Sequence, residues 1–251
     1  MKTIKPIDLY KASGCSPSAL PADLLKLLDK RLYGMDGLDL LKRIPDASIK
    51  LVVFDPQYQN LNDKMKYGNK AGTGRMKGMR GLPVQDAMNV WEFGQEITRI
   101  LTPSGHVTLW IDKLMFCATD PLLDIFSRRD GTTDMNRVDL IVWDKMKMLM
   151  GYRSRRCSEY LVVFQKNPLR AKGCWTDHEI RDVWQEKVVK DHPHSKPIAL
   201  QSRLITALTK PGDVVCDFTA GGFSVMTAAH NVGRRFLGCE FLLEGDPALR
   251  P

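Results

Sequence analysis

Short apolar runs rich in β-branched residues alternate along this chain with longer amphipathic stretches. That alternation is typical of a largely parallel sheet covered by helices, so we predict an α/β fold with helices on both faces of the sheet. The apolar runs predict strands at 50–54, 106–111, 138–143, 160–164, 213–217 and 235–240. The amphipathic stretches predict helices at 21–30, 37–44, 84–101, 197–209 and 224–232.

Length and composition indicate an ordinary globular protein. The chain has 251 residues, of which 43% are hydrophobic and 26% charged, so we expect one domain spanning residues 1–251. No apolar stretch approaches the roughly 18 residues that cross a bilayer, and the basic start of the chain is not followed by the apolar core of a signal peptide. We therefore expect a cytoplasmic protein with no membrane partner. The six cysteines are scattered without a CxxC pair, which predicts neither a disulfide framework nor a paired-cysteine zinc site.

The charge balance favours a polyanionic partner, since the chain carries 37 Lys and Arg against 29 Asp and Glu, a net charge of +8. One segment, at about 59–90, breaks the α/β alternation: it is rich in glycine and basic residues and has no sustained apolar period. Loops of this length are either solvated insertions or functional lids, and the segment alone does not decide between them. Its basic residues are Lys64, Lys66, Lys70, Arg75, Lys77 and Arg80.

A first candidate for chemistry is the tetrapeptide Asp55-Pro56-Gln57-Tyr58, which directly follows the predicted strand at 50–54 and directly precedes the basic segment. It offers a carboxylate, a backbone fixed by proline and an aromatic ring. The carboxyl ends of parallel strands are where α/β sheets bind their ligands. Alone the tetrapeptide is a weak signal, because an Asp-Pro turn followed by Tyr also occurs by chance.

A second candidate is the stretch from Val214 to Ser224, followed by a predicted helix and a strand that ends at Glu240. A strand, a turn of small residues, a helix and a strand with a terminal acid form the layout of a nucleoside-cofactor site, in which the acid binds ribose hydroxyls. The two acids, Asp217 and Glu240, are 240 − 217 = 23 residues apart. The turn fits neither GxGxxG nor a phosphate-binding P-loop, which favours a cofactor without phosphate.

A third element is the hexapeptide at 192–197, His-Pro-His-Ser-Lys-Pro, directly before a predicted helix. The simpler interpretation is a helix start bracketed by prolines, with Lys196 free to meet a carboxylate. A zinc site built from Cys174, His178, His192 and His194 is the alternative, but the spacing matches no standard ligand pattern. We therefore predict no metal.

These motifs, together with the strand at 160–164 and its flanking Trp143-Asp144-Lys145 and Ser158-Glu159, occur in the order and spacing of a known family. From about residue 31 to 241 the chain resembles the β-type S-adenosylmethionine-dependent DNA amino-methyltransferases of restriction-modification, orphan and phage systems. The resemblance implies a Rossmann-like, seven-stranded methyltransferase sheet and S-adenosylmethionine as the cofactor.

The resemblance also implies roles for individual residues. Asp55, Pro56 and Tyr58 stand at the family's Asp-Pro-Pro-Tyr catalytic motif. The implied cofactor-binding residues are Asp36 near the adenine, Lys196 near the methionyl carboxylate, the turn of Asp217, Phe218, Thr219, Ala220, Gly221 and Gly222, and Glu240 at the ribose. The sequence departs from the family pattern at Gln57, at Phe218-Thr219 and at Phe223, where a second proline, Pro-Phe and a glycine are usual.

The chemistry of a base amino group is consistent with this family. The nitrogen is a poor nucleophile, because its lone pair is delocalised into the ring. The Asp55 carboxylate and the Pro56 carbonyl can accept its two hydrogens and favour a pyramidal nitrogen that attacks a sulfonium methyl group. The base must first leave the duplex, and Tyr58 offers a ring to stack on. The chain contains no Pro-Cys dipeptide, which disfavours the covalent route to ring carbon.

Within this family the basic segment at 59–90 becomes a predicted DNA-contacting lid, and the stretch 145–156 becomes a second phosphate surface. The basic residues of that second stretch are Lys145, Lys147, Arg153, Arg155 and Arg156. The segment at about 166–191, where the family often places target recognition, is short. This segment therefore recognises a short target sequence, or shares recognition with the lid or with a second subunit. A homodimer is one of these alternatives.

The sequence thus predicts an N6-adenine DNA methyltransferase that flips its target base out of duplex DNA. The leading Asp55, where cytosine enzymes more often have Ser, favours adenine. Methylation of the cytosine amino group needs the same geometry and stays an alternative, and RNA as a substrate is not distinguished. From a different class, the changes at 218, 219 and 223 leave open a nucleic-acid-binding subunit with a degenerate cofactor site that activates a partner.

Overall fold

The computed structural model describes residues 20–56, 87–118, 120–149, 153–187 and 195–243. Within them the chain forms one eight-stranded sheet of order β1-β8-β7-β2-β3-β5-β4-β6. The strands are β1 Leu32–Tyr33, β2 Ile49–Phe54, β3 Leu101–Ile111, β4 Met135–Leu149, β5 Arg156–Lys166, β6 Val183–Gln185, β7 Val214–Asp217 and β8 Arg235–Glu240. The helices are α1 Ala22–Leu25, α2 Gly37–Lys42, α3 Ala87–Ile100, α4 Lys113–Ala118, α5 Pro121–Phe126, α6 Ile198–Leu208 and α7 Ser224–Asn231.

The sheet is parallel through β1, β8, β7, β2 and β3, and antiparallel where β5 lies between β3 and β4. Its central strands are apolar on both faces, as expected for strands covered twice. On β2, Val52 and Phe54 join the core under α2, α3 and α5, whereas Leu51 and Val53 join the core under α6 and α7. The predicted α/β fold with helices on both faces is therefore confirmed.

The six predicted strands are all present, and β3, β4 and β5 are longer than predicted. The described residues contain eight strands rather than the seven expected. β1 and β6, which were not among the strands predicted from apolar runs, have only two and three residues, too few to show a period. The short helices α4 and α5 were missed for the same reason.

The first predicted helix, at 21–30, ends early. α1 stops at Leu25, and Asp29 adopts a left-handed backbone conformation with φ of 61°. Its carboxylate accepts a hydrogen bond from the Phe236 backbone N–H at 2.8 Å and contacts His230 at 2.9 Å. A tertiary contact to β8 therefore replaces the last turns of this helix. No helix in the described parts of the chain is long and apolar enough to cross a membrane.

Candidate active site

Three acidic side chains lie where neighbouring parallel strands end. Asp55 follows β2, Asp217 is the last residue of β7, and Glu240 is the last residue of β8. The register pairs Val53 with Asp217, and Asp217 with Gly238, so the three strands end side by side. The structure thus brings the first two sequence motifs to one edge of the sheet, the edge at which α/β proteins bind ligands.

Thr219 connects the two motifs directly. Its hydroxyl accepts a hydrogen bond from the Asp55 backbone N–H at 3.3 Å, and its own N–H donates to the Asp217 carboxylate at 3.0 Å. The turn after β7 therefore positions the backbone at the start of the tetrapeptide. Thr219 departs from the family pattern in the sequence, yet its side chain has a structural role here.

Glu240 fixes the turn from the other side. One carboxylate oxygen accepts from the Gly221 N–H at 2.7 Å, and the second accepts from the Leu242 N–H at 3.0 Å. Gly221 has a positive φ of 49°, and Ala220 donates its N–H to the Cys239 carbonyl at 3.0 Å. Glu240 is only 7% exposed, so these hydrogen bonds compensate for burying its charge.

The start of α2 packs tightly onto the same turn. A Cβ added to Gly37 would lie 2.3 Å from the Phe218 carbonyl oxygen, so this close approach requires a glycine. Asp36, the N-cap of α2, accepts a hydrogen bond from the Leu38 N–H at 2.7 Å. Phe218 is buried, while the neighbouring Gly222 is exposed.

Phe223 occupies the position of this turn at which the family usually has a glycine. It adopts the left-handed conformation with φ of 58° that a glycine would adopt without strain, and a non-glycine residue there costs roughly 1–2 kcal/mol. Its ring is fully buried and meets Tyr33 edge to face, with ring centres 5.1 Å apart. Since burial of a Phe side chain stabilises by about 1.5–3 kcal/mol, the packing offsets the strain.

Four acids lie at this edge, because Asp36 follows Met35, whose N–H donates to the Glu240 carbonyl at 3.2 Å, and so joins Asp55, Asp217 and Glu240. Burial raises the pKa of Asp217 to about 7, and the carboxylates of Asp55 and Glu240 add to the rise, although the Thr219 backbone hydrogen bond opposes it. Burial and the charges of Asp217, Glu240 and Asp36 likewise raise the pKa of the Cys239 thiol. A cluster of acids at one place favours a ligand that carries positive charge.

Lys196 lies at the same edge and forms ion pairs with two carboxylates. Its ammonium nitrogen is 2.9 Å from Asp55 Oδ2 and 3.0 Å from Glu159 Oε2. Burial lowers the pKa of Lys196, but the two carboxylates outweigh it and raise the pKa above its usual value. The sequence expectation that this lysine meets a carboxylate agrees with the geometry; its role at the methionyl carboxylate stays a prediction.

The start of α6 holds Lys196 in place. Pro197 is the N-cap of α6, and the Glu186 carboxylate accepts hydrogen bonds from the Ala199 and Leu200 N–H groups at 2.9 and 3.1 Å. These bonds satisfy the free N–H groups of the first turn.

Glu159 and Lys145 extend the ion pairs beyond Lys196, since the Lys145 ammonium contacts the other oxygen of Glu159. Sequence reasoning gave Glu159 no role and placed Lys145 on a phosphate surface. The second placement is wrong, because the Lys145 side chain is 12% exposed and is paired with Glu159. One feature of the sequence could have indicated a role for Glu159: it is a charged residue just before the apolar half of β5.

The predicted DNA-binding residues are described only in part. Arg153 and Arg155 are exposed, whereas Arg156 lies 3.7 Å from the buried Asp112 carboxylate. Nearby, Lys113 donates to the Ser154 hydroxyl at 2.6 Å, and the exposed Phe116 stacks on Tyr160 with ring centres 5.1 Å apart. Outside the described residues lie Tyr58, Lys64, Lys66, Lys70, Arg75, Lys77, Arg80, His192 and His194.

The predicted target-recognition segment is described as far as residue 187. Residues 179–185 of it form an open groove with Asp139 and Arg203, and Arg203 makes two hydrogen bonds of 2.7 Å to Asp177. Its role in recognition stays a prediction. Among the residues that the structure describes, no three His, Cys, Asp or Glu side chains are grouped so that they could hold a metal ion.

Comparison with known proteins identifies the family. Residues 49–244, most of the chain, match the N6_N4_Mtase family, described as DNA methylase. The chain belongs to this DNA methylase family. It is 43% identical over 226 residues to the type II methyltransferase M.HhaII of Haemophilus parahaemolyticus, which covers 89% of this chain and 96% of that protein. The predictions of DNA methyl transfer and of S-adenosylmethionine as the cofactor are confirmed at the level of the family.

Solved structures share the fold of this methylase. The PvuII DNA methyltransferase, described as cytosine-N4-specific, superposes with a TM-score of 0.61 at 18% identity, over 87% of this chain and 83% of that one. The M1.HpyAVI–SAM complex superposes with a TM-score of 0.56 at 16% identity, over 87% and 96%. The predicted Rossmann-like methyltransferase fold is therefore confirmed. The family covers both N6 and N4 amino groups, so adenine and cytosine are not distinguished by these likenesses.

The described residues fit S-adenosylmethionine. Asp36 and Glu240 lie at the end of β8 beside Asp217, and the negative charge of these two carboxylates suits a ligand with a sulfonium and an ammonium group. Each Glu240 oxygen accepts one backbone N–H and retains a lone pair for a ribose hydroxyl. Phe223, which departs from the family pattern, is directed into the core and not across the edge of the sheet.

Proposed function

We propose that this chain, without a partner, methylates the exocyclic N6 of adenine at a short recognition sequence in DNA, as a type II methyltransferase. The observation that carries the proposal is the Asp55 carboxylate, held at the edge of the sheet beside the turn that suits the cofactor. Its Oδ2 atom is engaged by Lys196, and the side chain is 25% exposed, so it can still reach a ligand.

The proposed reaction is a direct displacement. Bound S-adenosylmethionine supplies an electrophilic methyl group on a sulfonium. Asp55 and the Pro56 carbonyl accept the two amino hydrogens of the flipped base and orient the nitrogen lone pair toward that methyl. As the nitrogen–carbon bond forms, the sulfur–carbon bond breaks and its electron pair returns to sulfur. Positive charge develops on the amino group, and the Asp55 carboxylate stabilises it until one amino proton passes to solvent.

Two observations oppose the alternative of a degenerate subunit. The substituted Thr219 and Phe223 side chains have definite roles in forming the turn, as a hydrogen-bond link and as a core ring. The acids that suit the cofactor are present beside them. We therefore attribute cofactor binding to this chain itself.

Cytosine N4 is the second candidate target, favoured by the likeness to the cytosine-N4-specific PvuII enzyme. We favour adenine because Asp55, and not a serine, leads the motif. The two bases present the same amino group, so the choice rests on the shape of the pocket.

The proposal predicts the modification found in cells. DNA from cells that lack adenine methylation and express this chain is expected to contain N6-methyladenine within a single short sequence. Sequencing that detects modified bases measures it, with cells expressing Asp55→Asn as the control. N4-methylcytosine in that sequence would show that the target is cytosine N4 and not adenine N6. Unmodified DNA from cells with abundant folded protein would contradict both candidates.

Arg153 and Arg155 are proposed to contact DNA phosphates. Changing both to Gln is expected to weaken DNA binding and to reduce the slope of log affinity against log salt by about two, roughly 0.9 for each contact. Fluorescence anisotropy across a salt series measures this. The matched control changes Lys30 and Lys210 to Gln, since both are exposed and precede β1 and β7 at the opposite edge of the sheet. An unchanged slope in the arginine variant would show that both arginines are exposed to solvent and do not contact DNA phosphates.

A further inference from the structure

A row of alternating charges leads from the proposed catalytic carboxylate into the sheet. Asp55 contacts Lys196, Lys196 contacts Glu159, and Glu159 contacts Lys145. The side chains of Lys196, Glu159 and Lys145 are 8%, 16% and 12% exposed. Charges buried to this extent are costly unless each is paired, so the row is stable only as a unit.

Strands β3, β4 and β5 position the row. Glu159 lies on β5 directly opposite Trp143 of β4. The Lys196 ammonium lies 5.3 Å from the centre of the Trp110 ring, and the Lys145 ammonium lies 5.0 Å from that of Trp143. The two indole rings pack edge to face with centres 5.9 Å apart. Each ammonium is therefore held by a carboxylate and by the face of an aromatic ring, which restricts where it can move.

We propose that Glu159 is a positioning residue for methyl transfer, which holds the Lys196 ammonium against Oδ2 of Asp55 while Lys145 holds Glu159 in turn. The inference rests on the proposed function, because it assigns Glu159 to the reaction through Asp55.

The geometry explains why a second carboxylate is needed. The Lys196 ammonium binds Oδ2 of Asp55 at 2.9 Å, so its position sets how the carboxylate is oriented toward the base. A lysine paired with Asp55 alone could move across the carboxylate and change that orientation. Glu159 binds the same ammonium from β5 at 3.0 Å and so keeps it on one side.

The charge states are consistent with this arrangement. Burial raises the pKa of Glu159, but the ammonium groups of Lys196 and Lys145 outweigh it and lower the pKa to about 2. Within the described part of the chain, Lys196 contacts the carboxylates of Asp55 after β2 and Glu159 on β5, and both favour its protonated form. At neutral pH Glu159 and Lys196 are therefore both charged.

The test is the pH dependence of kcat in two variants. In Glu159→Gln, we expect kcat to fall about 10- to 100-fold, as expected for a misplaced reacting group, with the KM for DNA and the affinity for S-adenosylmethionine changed by less than about threefold. Because Lys196 loses a neighbouring anion while its burial remains, its pKa falls. A loss of kcat on the alkaline side is therefore expected at a lower pH than in the wild type.

Lys145→Gln provides an independent second arm. Removing that cation raises the pKa of Glu159, so kcat should fall on the acid side at a higher pH than in the wild type. Asp46→Asn is the matched control, since the Asp46 side chain is 77% exposed, contacts Arg99 at 2.6 Å and precedes β2 at the opposite edge of the sheet. The Lys145 arm also keeps the inference testable should Glu159→Gln fail to fold.

The outcomes separate this inference from the proposed function. The inference is supported if a folded Glu159→Gln enzyme has a lower kcat with a new alkaline limb, or, should that variant fail to fold, if Lys145→Gln shifts the acid limb upward. It is overturned if a folded Glu159→Gln enzyme retains the wild-type kcat or the wild-type pH profile, or, should that variant fail to fold, if the acid limb of Lys145→Gln is unchanged. Asp55→Asn, assayed in parallel, tests the proposed function itself, because its loss of activity does not depend on Glu159.

Discussion

Asp55→Asn is expected to lower kcat for methyl transfer by roughly 100- to 1000-fold, the usual effect of removing a group that stabilises charge developing in a transition state. Asparagine keeps the size of the side chain but loses the negative charge that balances the amino nitrogen. It also leaves the Lys196 ammonium with Glu159 alone. Single-turnover transfer of a labelled methyl group to DNA measures the effect.

Two controls make the Asp55→Asn result specific. DNA binding should change little, because the Asp55 backbone N–H that bonds Thr219 is retained and the turn after β7 stays in place. Asp39→Asn removes an exposed carboxylate from α2 and should retain wild-type kcat. Should Asp55→Asn keep more than about a tenth of wild-type turnover, Asp55 would be a structural residue only.

Glu240→Ala is expected to raise the dissociation constant for S-adenosylmethionine by roughly 100-fold, since hydrogen bonds to a charged group contribute about 1.5–3 kcal/mol each. The variant loses the carboxylate proposed to bind the ribose, and it leaves the Gly221 and Leu242 N–H groups without their acceptor. Calorimetric titration of the purified chain with the cofactor measures the change.

A graded series strengthens the Glu240 experiment. Glu240→Gln keeps one acceptor oxygen, so its loss of affinity should lie between those of the wild type and Glu240→Ala. Glu179→Ala, which removes an exposed carboxylate near Arg203, should bind as the wild type does. If Glu240→Ala binds the cofactor with wild-type affinity and an unchanged fold, the ribose assignment of Glu240 is excluded.

The parts of the fold that position the site could be predicted from the sequence alone. β2, β7 and β8 are short, continuous apolar runs, and acids stand at or directly after their ends, so position alone brings Asp55, Asp217 and Glu240 together. This follows because parallel strands end at the same edge of a sheet.

Other parts were not predictable from local pattern. The two residues of β1 carry no period, and α1 is shortened by the contact of Asp29 with β8, which lies about 200 residues further along the chain. The ion pairs of Glu159 join β5 to the start of α6 and to β4, and the sequence contains no local signal for such a pairing. Tertiary contacts decide these features.

Phe223 shows why departures from a motif need a structure. Its replacement of a glycine suggested a weakened cofactor turn. In the structure the left-handed backbone conformation is retained, and the ring packs against Tyr33 and Phe236 in the core. The substitution therefore changes what lies beneath the turn and leaves the acids at the edge of the sheet in place.

The identity of the methylated nucleoside tests the central claim most directly. Purified chain is incubated with unmethylated duplex DNA and methyl-labelled S-adenosylmethionine, the DNA is digested to nucleosides, and the label is located by chromatography and mass spectrometry. An RNA of the same sequence and the Asp55→Asn variant serve as controls. We expect label in N6-methyldeoxyadenosine from wild-type protein and DNA only. Label in N4-methyldeoxycytidine, label only in RNA, or no label in any sample would rule out adenine N6 of DNA as the target.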